Sequence, residues 1–196
     1  MPRASAADAA RTAQDILVSA TDLLAARGFA AVSLDDVAGA AGVTRGAVYH
    51  HYRSTAGLFR AVAARLQSKV AGAVVAAAEG AGADPYEQLR AGCHAFLDAI
   101  TAAPAVRVLL IDAPAVFGWE QWRQLDAENS VVHLRAALAD VGVPDDLLDP
   151  MTAQLSGAMN EAALWAAQRP GGAGVLDAAH RVLDRVLAGA VTPGDR

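Results

Sequence analysis

At 196 residues the chain can hold a small headpiece and a second helical domain with its own core, and its alanine-rich composition without alternating β-branched runs excludes a sheet protein and points to an all-α fold. A formal net charge of −5 argues at first against nucleic acid. Its distribution reverses that: residues 1–69 carry eight Lys or Arg against five Asp or Glu, a surplus of +3, which leaves −8 for the remainder.

Residues 1–14 read as a short flexible arm, solvated in the first place, although Arg3 and Arg11 could touch DNA. Ile16, Leu17, Ala20, Leu23 and Leu24 then form an apolar stripe at helical spacing, and Gly28 suits a left-handed residue ending that helix. Phe29 follows as a core residue of the headpiece. Residues 33–52 read as a helix-turn-helix. Ser33 is a natural N-cap, Asp35 and Asp36 sit where the helix dipole favours negative charge, Val37 and Ala38 face inward, and Gly42 supplies the tight turn. Thr44 caps the second helix, whose outer face carries Arg45, Gly46, Tyr49 and His50, while Val43, Ala47 and Val48 are available for burial. Arginine can contact guanine edges or phosphates, glycine permits close backbone approach, and tyrosine and histidine can bond phosphate oxygens. The adjacent His50 and His51 diverge by about 100° on a helix and have no carboxylate or cysteine beside them in sequence, so no metal is expected.

Residues 45–59, RGAVYHHYRSTAGLF, preceded by a helix ending RGFAAVSLDDVAGAAGV, resemble the DNA-binding domain of the TetR family of transcriptional regulators. The resemblance covers residues 10–66. It implies a three-helix DNA-binding domain, with Ser33, Thr44, Arg45, Gly46, Tyr49, His50, Tyr52, Arg53 and Thr55 at the DNA-facing positions. One departure stands out: the family commonly has a lysine where this chain has Thr55. Thr55 is then expected to cap the fourth helix and to offer a phosphate its hydroxyl or N–H. Without that point charge the salt dependence of binding should be shallower, unless Arg53 compensates.

The fourth helix starts near Thr55 and shows Leu58, Phe59, Val62, Leu66, Val70 and Val74 at steps of three or four, long enough to link two domains: residues 1–66 as the DNA-binding domain and 67–196 as an effector-binding and dimerisation domain. Glycines in residues 79–83 end it. Asp84 then caps the next helix, with Pro85 at its first position and Glu87 placed for a capping box, and Tyr86, Leu89, Cys93, Phe96 and Ile100 define its buried face. A break at 103–104, a short helix through Leu110 and an irregular segment 112–118 follow. Trp119 opens a helix to about residue 140, Asp149 and Pro150 start another to residue 168, and residues 175–189 form the last.

The two last long helices offer little to solvent. Met151, Leu155, Met159 and Ala162 on one, with Leu176, Ala179, Leu183 and Val186 on the other, form a face suited to a homodimer packed as a four-helix bundle, the arrangement the resemblance also implies. A twofold dimer places the two reading helices roughly 34 Å or a small multiple apart and calls for a near-palindromic double-stranded DNA operator. For a small-molecule effector the body offers His94, Phe96, Phe117, Trp119, Trp122, Arg123, His133, Asn160 and Trp165, aromatic walls with a few polar groups, with 112–118 as a gate.

The single Cys93 rules out an intramolecular disulfide and a cysteine-based zinc cluster. No apolar run approaches a membrane span and residues 1–14 lack the apolar core of a signal peptide, so a cytoplasmic protein that engages no membrane is expected. The leading function is therefore a repressor that releases its operator when a hydrophobic or aromatic effector binds. It needs no catalytic residue, metal or cofactor. A regulator controlled by a protein partner is the alternative. An enzyme using Cys93, His94 and Asp112 is a third reading, weakened because no strand-turn-helix nucleophile motif is present.

Overall fold

The computed structural model describes residues 6–169 and 173–191, and these are helical nearly throughout, with no strand. In chain order they form α1 (Ala6–Arg27), a 3-10 turn (Phe29–Ala31), α2 (Leu34–Ala41), α3 (Arg45–Tyr52), α4 (Thr55–Gly80) and α5 (Pro85–Thr101). A π-helical turn (Val106–Asp112) leads into α6 (Ala113–Phe117) and α7 (Trp119–Asp126). A second π-helical turn (Ala127–Val131) leads into α8 (Val132–Asp140), α9 (Asp145–Ala167) and α10 (Ala173–Val191).

Ile16, Ala20 and Leu24 of α1 meet Val37 of α2, Val48 of α3 and Leu58, Phe59 and Val62 of α4 in the headpiece core, all 2% exposed or less. The alanine-rich stretch expected as an arm is helical from Ala6, since alanine is the strongest helix former and Asp8 lies in the favoured first turn. Arg11 is therefore an exposed helical residue 3.9 Å from Asp8, and Arg3 lies outside the described residues. Gly28, at φ 76°, ends α1 and lets Phe29 fold back edge-on to Phe59, ring centroids 5.0 Å apart.

α4 runs from the headpiece into the body, about 39 Å at the usual helical rise. By length and composition it is apolar enough to cross a membrane, contrary to the expectation that no segment is. Its buried residues Leu58, Phe59, Val62, Ala63, Leu66, Gln67 and Val70 join the cores of head and body, a use that gives a helix the same hydropathy. In the body α5 is central, packing on α4, α8, α9 and α10 through Leu89, Cys93, Phe96, Leu97 and Ile100. Asp84 caps it by accepting from the Tyr86 N–H at 2.9 Å, with Pro85 at the first position. The expected capping box does not form: Glu87 turns to Arg90, 2.7 Å away.

Two stretches expected to be irregular are helical, 112–118 as far as Phe117 and 145–148, and 119–140 is the helical run expected. Residues 106–117 run on as a π-helical turn and α6, because the Ala113 N–H bonds the Val108 carbonyl five residues back. In that register the next donor would be Pro114, which has none, and the Trp122 indole N–H takes the vacated Leu109 carbonyl at 2.7 Å. Residues 119–140 form one helical run with a π-helical turn inside, and only Gly118, at φ 81°, separates it from α6. α9 starts at Asp145, before Pro150: the Pro144 carbonyl accepts from Leu147 and Leu148, and the acidic Asp145 and Asp146 suit a first turn. Pro150 faces solvent, where the carbonyl it leaves unpaired can bond water.

Candidate nucleic-acid interface and effector cavity

The N-terminus of each of the two short helices is fixed by a side chain. The Ser33 hydroxyl accepts from the Asp36 N–H at 3.1 Å while the Asp36 carboxylate accepts from the Ser33 N–H at 2.9 Å, closing a capping box. The Ser33 hydroxyl also donates to that carboxylate, and these bonds from Ser33, chiefly the hydroxyl's, hold the Asp36 carboxyl below its ordinary value. Gly42, at φ 66°, makes the turn. Thr44 then caps α3 by accepting from the Ala47 N–H at 3.2 Å.

Only Val48 of α3 is fully buried; Ala47, His51 and Tyr52 are half-buried, and Arg45, Gly46, Tyr49 and His50 face outward. Tyr49 is 55% exposed. His50 is exposed and lies edge-on to His51. A Cβ at Gly46 would meet only the Thr44 hydroxyl, at 3.8 Å, and Arg45 reaches back to Asp35 of α2 at 2.9 Å, an exposed pair that holds the guanidinium beside the α3 N-terminus. Tyr52 is engaged inside the protein: its hydroxyl donates to the Ala13 carbonyl of α1 at 2.8 Å, so it fixes the end of α3 rather than leaving a free hydroxyl for DNA.

Arg53 has φ 66° and ψ −35°, and the Ser54 N–H closes on the Tyr52 carbonyl at 2.8 Å, a tight γ-type turn that throws the Arg53 side chain to solvent. The cap of α4 is Ser54, which accepts from the Gly57 N–H at 3.0 Å; Thr55, the expected cap, is the first helical residue instead. Sequence could not separate these neighbours, since both are good caps. Gly57 is required by the turn, because a Cβ there would stand 2.2 Å from the Tyr52 carbonyl oxygen. Gly57→Ala is expected to lower stability by about 1–3 kcal/mol through this backbone clash and to weaken DNA binding with it; chemical denaturation and a DNA-binding titration check both.

In the body a cavity of about 230 Å³ lies between α4, α5, the second π-helical turn, α8 and α9. Val74, Leu89, Phe96, Leu134 and Met159 give it apolar walls, and Asp126, Ser130 and Ser156 form a polar corner. Asp126 is 3% exposed, and burial raises its pKa against the opposing pull of Arg123, Asn160 and Ser156. One oxygen, Oδ2, accepts from Arg123 at 3.2 Å, Ser156 at 3.3 Å and Asn160 at 3.4 Å. A second cavity lies along α9 beside Trp119, Trp122, Arg123 and Asn160.

The expected effector residues thus divide. Phe96 and His133 line the first cavity; Trp119, Trp122, Arg123 and Asn160 line the second. His94, Phe117 and Trp165 line neither. His94 stacks on His180, centroids 4.3 Å apart, and bonds Asp184 at 2.7 Å, tying α5 to α10. Phe117 packs on Phe59 at 5.2 Å, and Trp165 is exposed under the Arg169 guanidinium. Asp126, Ser130 and Ser156 went unnoticed in the sequence; the readable sign was the polar series Thr152, Ser156 and Asn160 at four-residue steps between apolar positions of α9.

Of the expected dimer residues, Leu155, Met159, Ala179 and Leu183 are 4–6% exposed within one protomer, because α9 packs on α5, α8 and α10. Met151, Ala162 and Leu176 are half-buried, and Val186 is exposed. The outward face of these helices is carried by Ala153, Gly157, Ala158 and Trp165 of α9 and by Val182 and Val186 of α10.

The residues of the enzymatic reading are engaged separately. Burial pushes the Cys93 thiol up to about 12, His94 is held by Asp184, and Asp112 belongs to a junction between head and body. There the Phe29 N–H donates to the Asp112 carboxylate at 3.0 Å, with Arg107 3.8 Å from the same oxygen. Gly28 touches the Arg107 guanidinium so closely that a Cβ would be 2.3 Å from it. Beside them Arg60 of α4 lies over the Phe117 ring and donates to Gln121.

Two family models match the chain: "Bacterial regulatory proteins, tetR family" over residues 16–62 and "Tetracyclin repressor-like, C-terminal domain" over residues 86–190. Among solved structures, a TetR-family transcriptional regulator from Pectobacterium atrosepticum superposes with a TM-score of 0.75 at 28% identity, covering 97% of this chain and 99% of that one. The HTH-type transcriptional regulator SrpR of Pseudomonas putida is 42% identical over 67 residues, 34% of this chain and 32% of SrpR. The "Probable acrEF/envCD operon repressor" of Escherichia coli K12 is 31% identical over 113 residues, 56% of this chain and 50% of that protein. The chain thus spans a third to a half of the length of these curated relatives.

Proposed function

The chain belongs to the TetR family of transcriptional regulators, and from that premise we propose that it is a cytoplasmic, homodimeric repressor that leaves a near-palindromic operator when a small effector enters the cavity of its body. The observation that carries this reading is the course of α4. Its N-terminal turns pack under α3, and its C-terminal residues Val74, Val75, Ala78 and Glu79 line the cavity, so whatever displaces its far end also moves the reading helix. Residues 1–66 act as the DNA-binding unit and 67–196 as the effector-binding and dimerising unit. The contacts to DNA fall to Arg45, Gly46, Tyr49 and His50 on α3, with Arg53 and Thr55 beside them. The dimer face is the outward side of α9 and α10, where Trp165, Val182 and Val186 expose apolar surface among small residues that allow close helix approach. The effector acts only through its different affinity for the operator-bound and released states, and no step of the cycle needs catalysis.

A footprint on DNA flanking the coding region, with a salt titration and scrambled DNA as control, tests the proposal. Protection of a near-palindrome whose two halves lie one or two helical turns apart is expected. Protection no better than on scrambled DNA, or a protein that sediments as a monomer on its site, would sink it. Control by a protein partner is the reading left if the footprint appears and the cavity binds nothing.

A further inference from the structure

We propose that the effector is an apolar molecule carrying a protonated amine, and that the amine donates to the Oδ1 oxygen of Asp126. This rests on the reading of the α4–α5–α9 cavity as the effector site. Three observations point to the class. First, the Asp126 carboxylate is used on one side only: Arg123, Ser156 and Asn160 all donate to Oδ2, while Oδ1 receives no donor among the described residues. Oδ1 therefore keeps its acceptor capacity free, and a ligand N–H in the cavity can pair with it.

Second, Ser130 stands four residues further along the same helical run, also lines the cavity, is 7% exposed, and its Oγ has no hydrogen-bond partner. An acceptor and a hydroxyl both left unpaired in one corner suit a group with several N–H donors, such as an ammonium. Third, the charged side chains that line the cavity are acidic, Arg123 reaching Asp126 at Oδ2 without lining it. Glu79, Asp126 and Asp140 line it together with His133, and no Lys or Arg does. That field opposes a carboxylate or phosphate ligand and favours a cation, while Val74, Leu89, Phe96, Leu134 and Met159 provide for an apolar or aromatic body.

The test is a calorimetric titration of the full-length protein with three probes of one shape, 2-phenylethylamine, 2-phenylethanol and phenylacetate, on the parent and on Asp126→Asn, Ser130→Ala and Ala137→Phe. The amine is expected to bind at least about tenfold more tightly than the alcohol, with phenylacetate weakest, one hydrogen bond to a charged group being of that order. Asp126→Asn, which keeps the shape, should remove the preference for the amine over the alcohol, and Ser130→Ala should reduce it. Ala137→Phe, which narrows the cavity, should weaken all probes. Alcohol or phenylacetate binding as tightly as the amine, or an amine preference that survives Asp126→Asn, overturns the amine while leaving the cavity standing. No binding by any probe, or binding indifferent to Ala137→Phe, overturns the cavity reading and the inference with it.

Discussion

The double substitution Arg45→Ala, Tyr49→Ala is expected to lower operator affinity by about 2–6 kcal/mol, a factor of roughly 30 to 2 × 10⁴, while leaving the melting temperature almost unchanged. Neither side chain supports the fold. Tyr49 is 55% exposed, and the partner of Arg45 is the equally exposed Asp35, a pairing worth about 0–1 kcal/mol at a surface. What holds α3 in place is Val48, the Thr44 cap and the Tyr52 bond to α1, all untouched by the substitution. The salt dependence then separates two uses of the guanidinium. If Arg45 neutralises a phosphate, Arg45→Ala alone reduces the slope of log affinity against log salt by about one; if it reads a guanine edge, the slope stays and discrimination at one base pair relaxes. Operator affinity within twofold of the parent for the double variant would show that α3 is not the reading element. A fall in melting temperature together with affinity would mean that the effect is on folding.

The headpiece was legible because its determinants are local. Ser33, Gly42 and Thr44 each act on backbone groups within three or four residues, so residue type and spacing were enough to place α2, the turn and α3. The body was less so. In α9 and α10 alanine occurs on every side, which removes the contrast between inward and outward faces, and Leu155, Met159, Ala179 and Leu183 went to the protomer's own core. Aromatic residues were an unreliable guide to the cavity for a related reason. Trp122 replaces the N–H that Pro114 lacks, and Phe117 packs against the head, needs created by distant parts of the chain. The polar corner lay beyond sequence because Asp126 and Ser156 are thirty residues apart and meet only where the second π-helical turn and α8 pack on α9.

Asp112→Ala is expected to separate effector binding from operator release. Asp112 is the side chain through which the body holds the head's backbone: it is 17% exposed, accepts from the Phe29 N–H at 3.0 Å, and has Arg107 on the same oxygen. Removing it leaves an unpaired amide next to the hinge glycine Gly28 and frees the Arg107 guanidinium packed against that glycine, a loss of about 1–3 kcal/mol. The cavity is formed by other residues, so the dissociation constant of the tightest of the three phenyl probes should stay within about twofold. The factor by which that probe weakens operator binding, typically 5- to 150-fold for such a coupling, should fall toward one. Asp112→Asn keeps an oxygen that can accept from Phe29 and should restore most of the response, which a purely charge-based role would not allow. The junction has a second element, the Phe59 and Phe117 rings with Arg60 above. If Asp112→Ala still responds fully, the signal passes through those rings, and Phe117→Ala should then abolish the response that Asp112→Ala spared.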